Sequence, residues 1–123
     1  MVQTDIAQLS TECTDWLRNL RNYRDEFQQS QKNLQQINTR SLSKEQLKEV
    51  DHFENQFEIQ LYNIHHLKQA IKAHGRTILD SSRDILVEDD VAYHEDLFER
   101  YSALENNLQE IRNNFSYFIS TIS

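Results

Sequence analysis

The sequence has no proline and a single glycine, Gly75, among its 123 residues. Turns and hairpins between strands draw heavily on those two residue types, so this chain has almost nothing with which to fold strands back on one another. The absence excludes all-β and α/β folds and leaves all-α. The lone cysteine, Cys13, has no partner for an intramolecular disulfide. It falls on an apolar helical stripe, where a thiol behaves as a small buried hydrophobe, and this predicts a reducing compartment. No window approaches the ~18 apolar residues of a membrane span. The opening MVQTDIAQLST also lacks a basic segment followed by an apolar run, so the expected location is cytoplasmic.

Basic residues are scarce where acidic ones are plentiful. Net charge is −7, and residues 87–123 carry two basic and eight acidic side chains. Phosphate backbones and anionic bilayers require Lys and Arg gathered on one face, so nucleic acid and membrane are excluded as partners. A basic partner at the acidic start of the third helix remains in play. Catalytic signatures are missing too. There is no Gly-x-Ser-x-Gly elbow, no glycine-rich phosphate loop and no His-Glu-x-x-His, and no cofactor is expected. The sequence predicts a protein that is not an enzyme.

What the chain does have is apolar residues at helical spacing. Ile6, Leu9, Cys13, Trp16, Leu20, Tyr23, Phe27, Leu34 and Ile37 keep a 3-4 register broken only by Ser30, the pattern of a helix that buries one face. Helix 1 is expected over about 4–38, started by Thr4 or Asp5. Ser43-Lys44-Glu45-Gln46 is a capping box and starts helix 2, expected over about 43–84. Its stripe of Leu47, Val50, Phe57, Leu61, Ile64, Ile71, Ile78 and Ile85 is flanked by a second one through Phe53, Leu67 and Ala70. Two stripes mean two neighbours. Glu88, Asp89 and Asp90 suit the positive end of a helix dipole and open helix 3, expected over about 90–121. The predicted fold is an up-down-up antiparallel three-helix bundle forming one domain.

Antiparallel pairing across the first loop sets Phe27 against Phe57 and Leu9 against Gly75, where a missing side chain would admit a close approach. Across the second loop it sets Phe57 against about Phe118. Helix 3 then ends before covering the far end of the hairpin, leaving Leu34, Ile37, Leu47 and Val50 between two helices only. Uncovered apolar surface of this kind predicts an interface with a second copy or with another helical protein, unless Leu42 folds over it or the register slips by a turn.

Five histidines offer the other chemistry. Glu49-Val50-Asp51-His52 has the Glu-x-x-His spacing of carboxylate-bridged bundles, but those sites need two such motifs and the chain has one. His94 lies on the third stripe, where it could meet His74 or Glu88 near the second loop; a partly buried, hydrogen-bonded histidine is the commoner outcome of such a placement, a pH-dependent contact is another, and His74, His94 and Glu88 as a cation or metal site are the alternative reading. Trp16, within Thr14-Asp15-Trp16-Leu17 in the middle of a first helix, resembles a spectrin-type repeat. The resemblance implies the three-helix architecture and assigns no functional residue. The leading functional expectation is a non-enzymatic bundle acting by association.

Overall fold

The computed structural model describes residues 6–80 and 88–122. Three long helices account for nearly all of them: α1 (Ile6–Gln35), α2 (Lys44–Ile78) and α3 (Glu88–Ile122), with a short 3-10 turn over Thr39–Ser41 between the first two. They form the all-α three-helix bundle that the stripes predict, with α2 antiparallel to both neighbours and α1 parallel to α3. Helix α2 ends at Ile78, capped at Leu79, short of the expected end near 84; Thr4, Asp5, Ile85 and residues 81–84 lie outside the described residues.

The element ends follow from side-chain chemistry. Helix α1 stops at Gln35, before Asn38, because the Asn38 side chain accepts from the backbone N–H of Arg40 and seeds the 3-10 turn instead. At the start of α2 both halves of the capping box are made: Ser43 Oγ accepts from Gln46 N at 3.2 Å, and Gln46 Oε1 accepts from Ser43 N at 2.8 Å. Together they satisfy two amides that the helix cannot pair internally. Helix α3 opens on Glu88, Asp89 and Asp90, two residues earlier than the sequence suggests.

The core is a file of large side chains along α2's two stripes. Phe57, Ile64 and Ile71 are fully buried, as are Leu20 on α1 and Leu97 and Leu108 on α3. Phe27 meets Phe57 edge to face at 5.3 Å, as expected. The α3 register differs from the expected one. Phe115, not Phe118, packs on Phe57, at 4.9 Å, and Phe118 reaches on to Phe53 at 5.4 Å. The shift of one turn carries α3 farther along the hairpin. An apolar stripe repeats every turn, so sliding by one turn still matches apolar to apolar, and the interlocking of Phe53, Phe57, Phe115 and Phe118 selects between the two settings.

That shift bears on the four residues expected at an uncovered end. Leu34 and Val50 belong to the buried core at 2% and 6% exposure, and Ile37 and, from the connecting turn, Leu42 each pack half-buried against that core. Leu47 alone is exposed, at 37%. Gly75 also departs from expectation: a Cβ placed there would meet nothing within 4 Å, so no neighbouring helix uses the missing side chain.

α1 and α3 meet only along a thin seam, each packing chiefly on α2. Part of the gap between them is a groove of about 440 Å³, lined by residues that include Phe27, Ser30, Phe57, Arg112, Phe115 and Ile119. Ser30, the one polar break in the first stripe, lies on this groove.

Candidate metal centre

At the end of the bundle where α1 begins, α2 finishes and α3 begins, each helix turns one metal-ligand side chain into the core. Cys13, His74 and His94 are all buried, at 3%, 3% and 4% exposure. One ligand atom from each lies within 4.8 Å of the other two. Each helix delivers its residue for an ordinary reason. Cys13 and His94 occupy stripe positions that any core-facing residue would fill, and His74 lies one turn beyond Ile71 on the same face of α2.

The two imidazoles are in direct contact, with His74 Nε2 3.0 Å from His94 Nδ1. Cys13 Sγ lies 4.0 Å from that same Nδ1. The other nitrogen of His94 is held by α1: Nε2 is 2.8 Å from Glu12 Oε2. A carboxylate oxygen only accepts, so the Nε2 proton of His94 is fixed by this contact. Trp16 covers His94 with ring centroids 4.7 Å apart, and Trp16 in turn stacks on Phe98 and Tyr101 at 6.0 and 5.8 Å. Tyr93 meets His74 edge-on at 5.2 Å.

The electrostatics favour a protonated Cys13 thiol and a neutral His74 in the absence of an ion. Burial pushes the Cys13 thiol up to about 11, with the Glu12 charge adding to the effect. Burial also lowers His74 from its ordinary value, His94 reinforces this, and Asp90 opposes it. A divalent cation at the centre would reverse that logic, since it offers a positive charge to a thiolate and two imidazole lone pairs.

The spacing suits such an ion. Zinc lies about 2.0–2.1 Å from imidazole nitrogen and about 2.3 Å from thiolate sulfur in tetrahedral sites, which sets N···N near ~3.3 Å and N···S near ~3.5 Å. The observed 3.0 Å and 4.0 Å separations lie within half an ångström of these values, and the third pair, Cys13 with His74, is within 4.8 Å.

His74 and His94 thus come together as the sequence suggests, but Glu88 does not join them. It lies exposed in the first turn of α3, and the carboxylate on His94 belongs to Glu12 of α1. Cys13 was legible as a core thiol and not as a ligand, because its partners lie on two other helices and only the three-dimensional register joins them. A signal was present in the antiparallel register that sets Leu9 against Gly75, since the same register sets Cys13 against Ile71 and so puts His74 one turn away. His52, His65 and His66 are exposed on α2, and Glu49 beside His52 is exposed as well. Among the described residues, the Glu-x-x-His pair gathers no third ligand.

No family model matches the chain, and no curated protein or solved structure matches it significantly.

Proposed function

We propose that this chain is a non-enzymatic helical bundle that binds one transition-metal ion of the zinc type through Cys13 Sγ, His74 Nε2 and His94 Nδ1. The observation that carries the reading is the convergence of those three buried atoms, one from each helix, within 4.8 Å. One sulfur and two nitrogen donors suit Zn²⁺, Co²⁺ or copper, and they disfavour Ca²⁺ and Mg²⁺, which take oxygen. The ion's role is structural. Its ligands lie within the core under the Trp16 ring, and it links α1 to α3, which otherwise meet along a thin seam. A fourth position is left for water. A thiolate ligand needs a reducing compartment, which favours the cytoplasm.

Self-association is a second reading. Its support is the open groove between α1 and α3 beside Ser30, which a helix of a second copy could fill, and no longer the hairpin end, where Leu34 and Val50 are already buried.

One titration tests both. Metal-free protein is titrated with Co²⁺ while visible absorption and light-scattering mass are followed together. The expected result is tetrahedral d–d bands with thiolate charge transfer, saturating at one ion per 14.7 kDa chain and lost in Cys13→Ala. Zn²⁺ at a hundredfold excess over Kd adds about 2.7 kcal/mol and raises the melting temperature by several degrees. Absence of the bands together with an unchanged melting temperature would overturn the metal reading. A mass near twice that of the chain would support the second reading, and a monomer at every concentration would remove it.

A further inference from the structure

The contacts around His94 specify more than a ligand set, and the role they give Glu12 rests on the metal reading of the same cluster. The 2.8 Å contact to Glu12 Oε2 requires a proton on His94 Nε2. A ligating imidazole is neutral, and in the neutral ring with its proton on Nε2 the Nδ1 atom carries a bare lone pair on the side of His74 and Cys13. The 3.0 Å contact at that lone pair can be a hydrogen bond only if His74 Nε2 donates. In the metal-free protein the three groups therefore form a directed chain, in which His74 Nε2–H donates to His94 Nδ1 and His94 Nε2–H donates to Glu12.

We propose that Glu12 is the positioning residue of the site: it holds His94 as the Nε2–H tautomer before and after an ion binds, so that capture of the ion is a tautomer change at His74 alone. The ion takes the place of the proton shared by the two imidazoles. His94 already presents the atom that must ligate. His74 must free Nε2, and its proton passes through solvent to Nδ1. The Cys13 S–H bond breaks and an S–metal bond forms, with that proton leaving to solvent. Two metal–nitrogen bonds form from existing lone pairs. The balance is one proton released per divalent ion, with no change of oxidation state.

The position of Glu12 fits this assignment. It is adjacent to Cys13 in sequence, so α1 supplies the thiol and the carboxylate from one turn, with Glu12 at the half-exposed edge of the cluster and Cys13 inside it. A carboxylate on the outer nitrogen of a metal-bound histidine fixes ring orientation and raises ligand basicity, and losing such a partner typically costs ~10–100-fold in metal affinity.

The test is ¹⁵N NMR of the histidine rings in the wild-type protein and in Glu12→Gln and Glu12→Ala, first metal-free and then with Zn²⁺. The expected metal-free spectrum shows Nε2–H for both His74 and His94. On adding Zn²⁺, His74 changes to Nδ1–H while His94 keeps Nε2–H. In Glu12→Ala, His94 populates both tautomers, Zn²⁺ binds ~10-fold or more weakly at unchanged stoichiometry, and the metal-free melting temperature falls because His94 Nε2 loses its acceptor. A wild-type His94 protonated on Nδ1, alone or together with Nε2, would overturn the proposal, as would an affinity unchanged in both variants. Metal-free tautomers as expected, but with no Zn²⁺ bound, would refute the metal reading and the switch at His74 while leaving Glu12 as the group that orients His94.

Discussion

At the residue scale, the α1–α3 seam beside the metal centre depends on Tyr101. Its hydroxyl accepts from Asn19 Nδ2 and donates to Glu105 Oε2, each at 3.0 Å, while its ring supports Trp16 over His94. Burial pushes the phenol up to about 12, the Asn19 hydrogen bond works against this, and Glu105 adds to it. The folded value lies above the unfolded value near 10, so the folded state holds this proton more tightly. The stability associated with it is therefore fully present below pH 10 and lost as pH rises toward 12. Thermal melts of wild type and Tyr101→Phe across that interval should show a steeper alkaline loss in the wild type. Parallel curves would mean that the hydroxyl is not held as described. The same variant leaves Glu105 and Asn19 without their partner, and a stability decrease of about 1 kcal/mol at neutral pH is expected.

At the scale of elements, α2 carries the architecture because it alone has two apolar stripes, and the one position where it breaks the rules of a good helix is Gly75. No left-handed backbone angle requires glycine there, and no atom would obstruct a methyl group. Gly75→Ala is therefore predicted to stabilise the protein by about 0.5–1 kcal/mol through helix propensity and a less flexible unfolded chain. Denaturant unfolding checks it, and a loss of stability would show that a neighbour approaches this turn after all. The helices themselves were legible in the sequence. Stripe positions such as Leu20, Phe57, Ile64 and Leu97 are the buried ones, and Ser43 with Gln46 caps as its spacing suggests. The α3 register was not legible, since a stripe that repeats each turn fits its neighbour equally well one turn away. The candidate metal centre depends on that register, so only its two histidines could be named in advance. Cys13 and Glu12 needed the third helix in place before their roles were visible.

At the scale of the whole molecule, one end of the bundle is closed by aromatic packing of Phe53, Phe57, Phe115 and Phe118, and the other by a polar cluster beneath Trp16. The aromatic end is held by burial alone. The polar end buries three groups that would rather be solvated, an arrangement that costs stability unless their hydrogen bonds or an ion compensate. In the metal-free chain the compensation is the hydrogen-bonded series from His74 through His94 to Glu12. With an ion bound, it is three coordinate bonds that join all three helices at one point. No helix among the described residues is long and apolar enough to cross a membrane.

The most direct measurement is anomalous diffraction from crystals grown with Zn²⁺, collected on both sides of the zinc absorption edge. The account predicts one strong anomalous peak per chain in the core, within bonding distance of Cys13 Sγ, His74 Nε2 and His94 Nδ1, with Glu12 still on His94 Nε2. Zinc found only at exposed histidines such as His65 and His66, with the His74–His94 hydrogen bond intact, would contradict it.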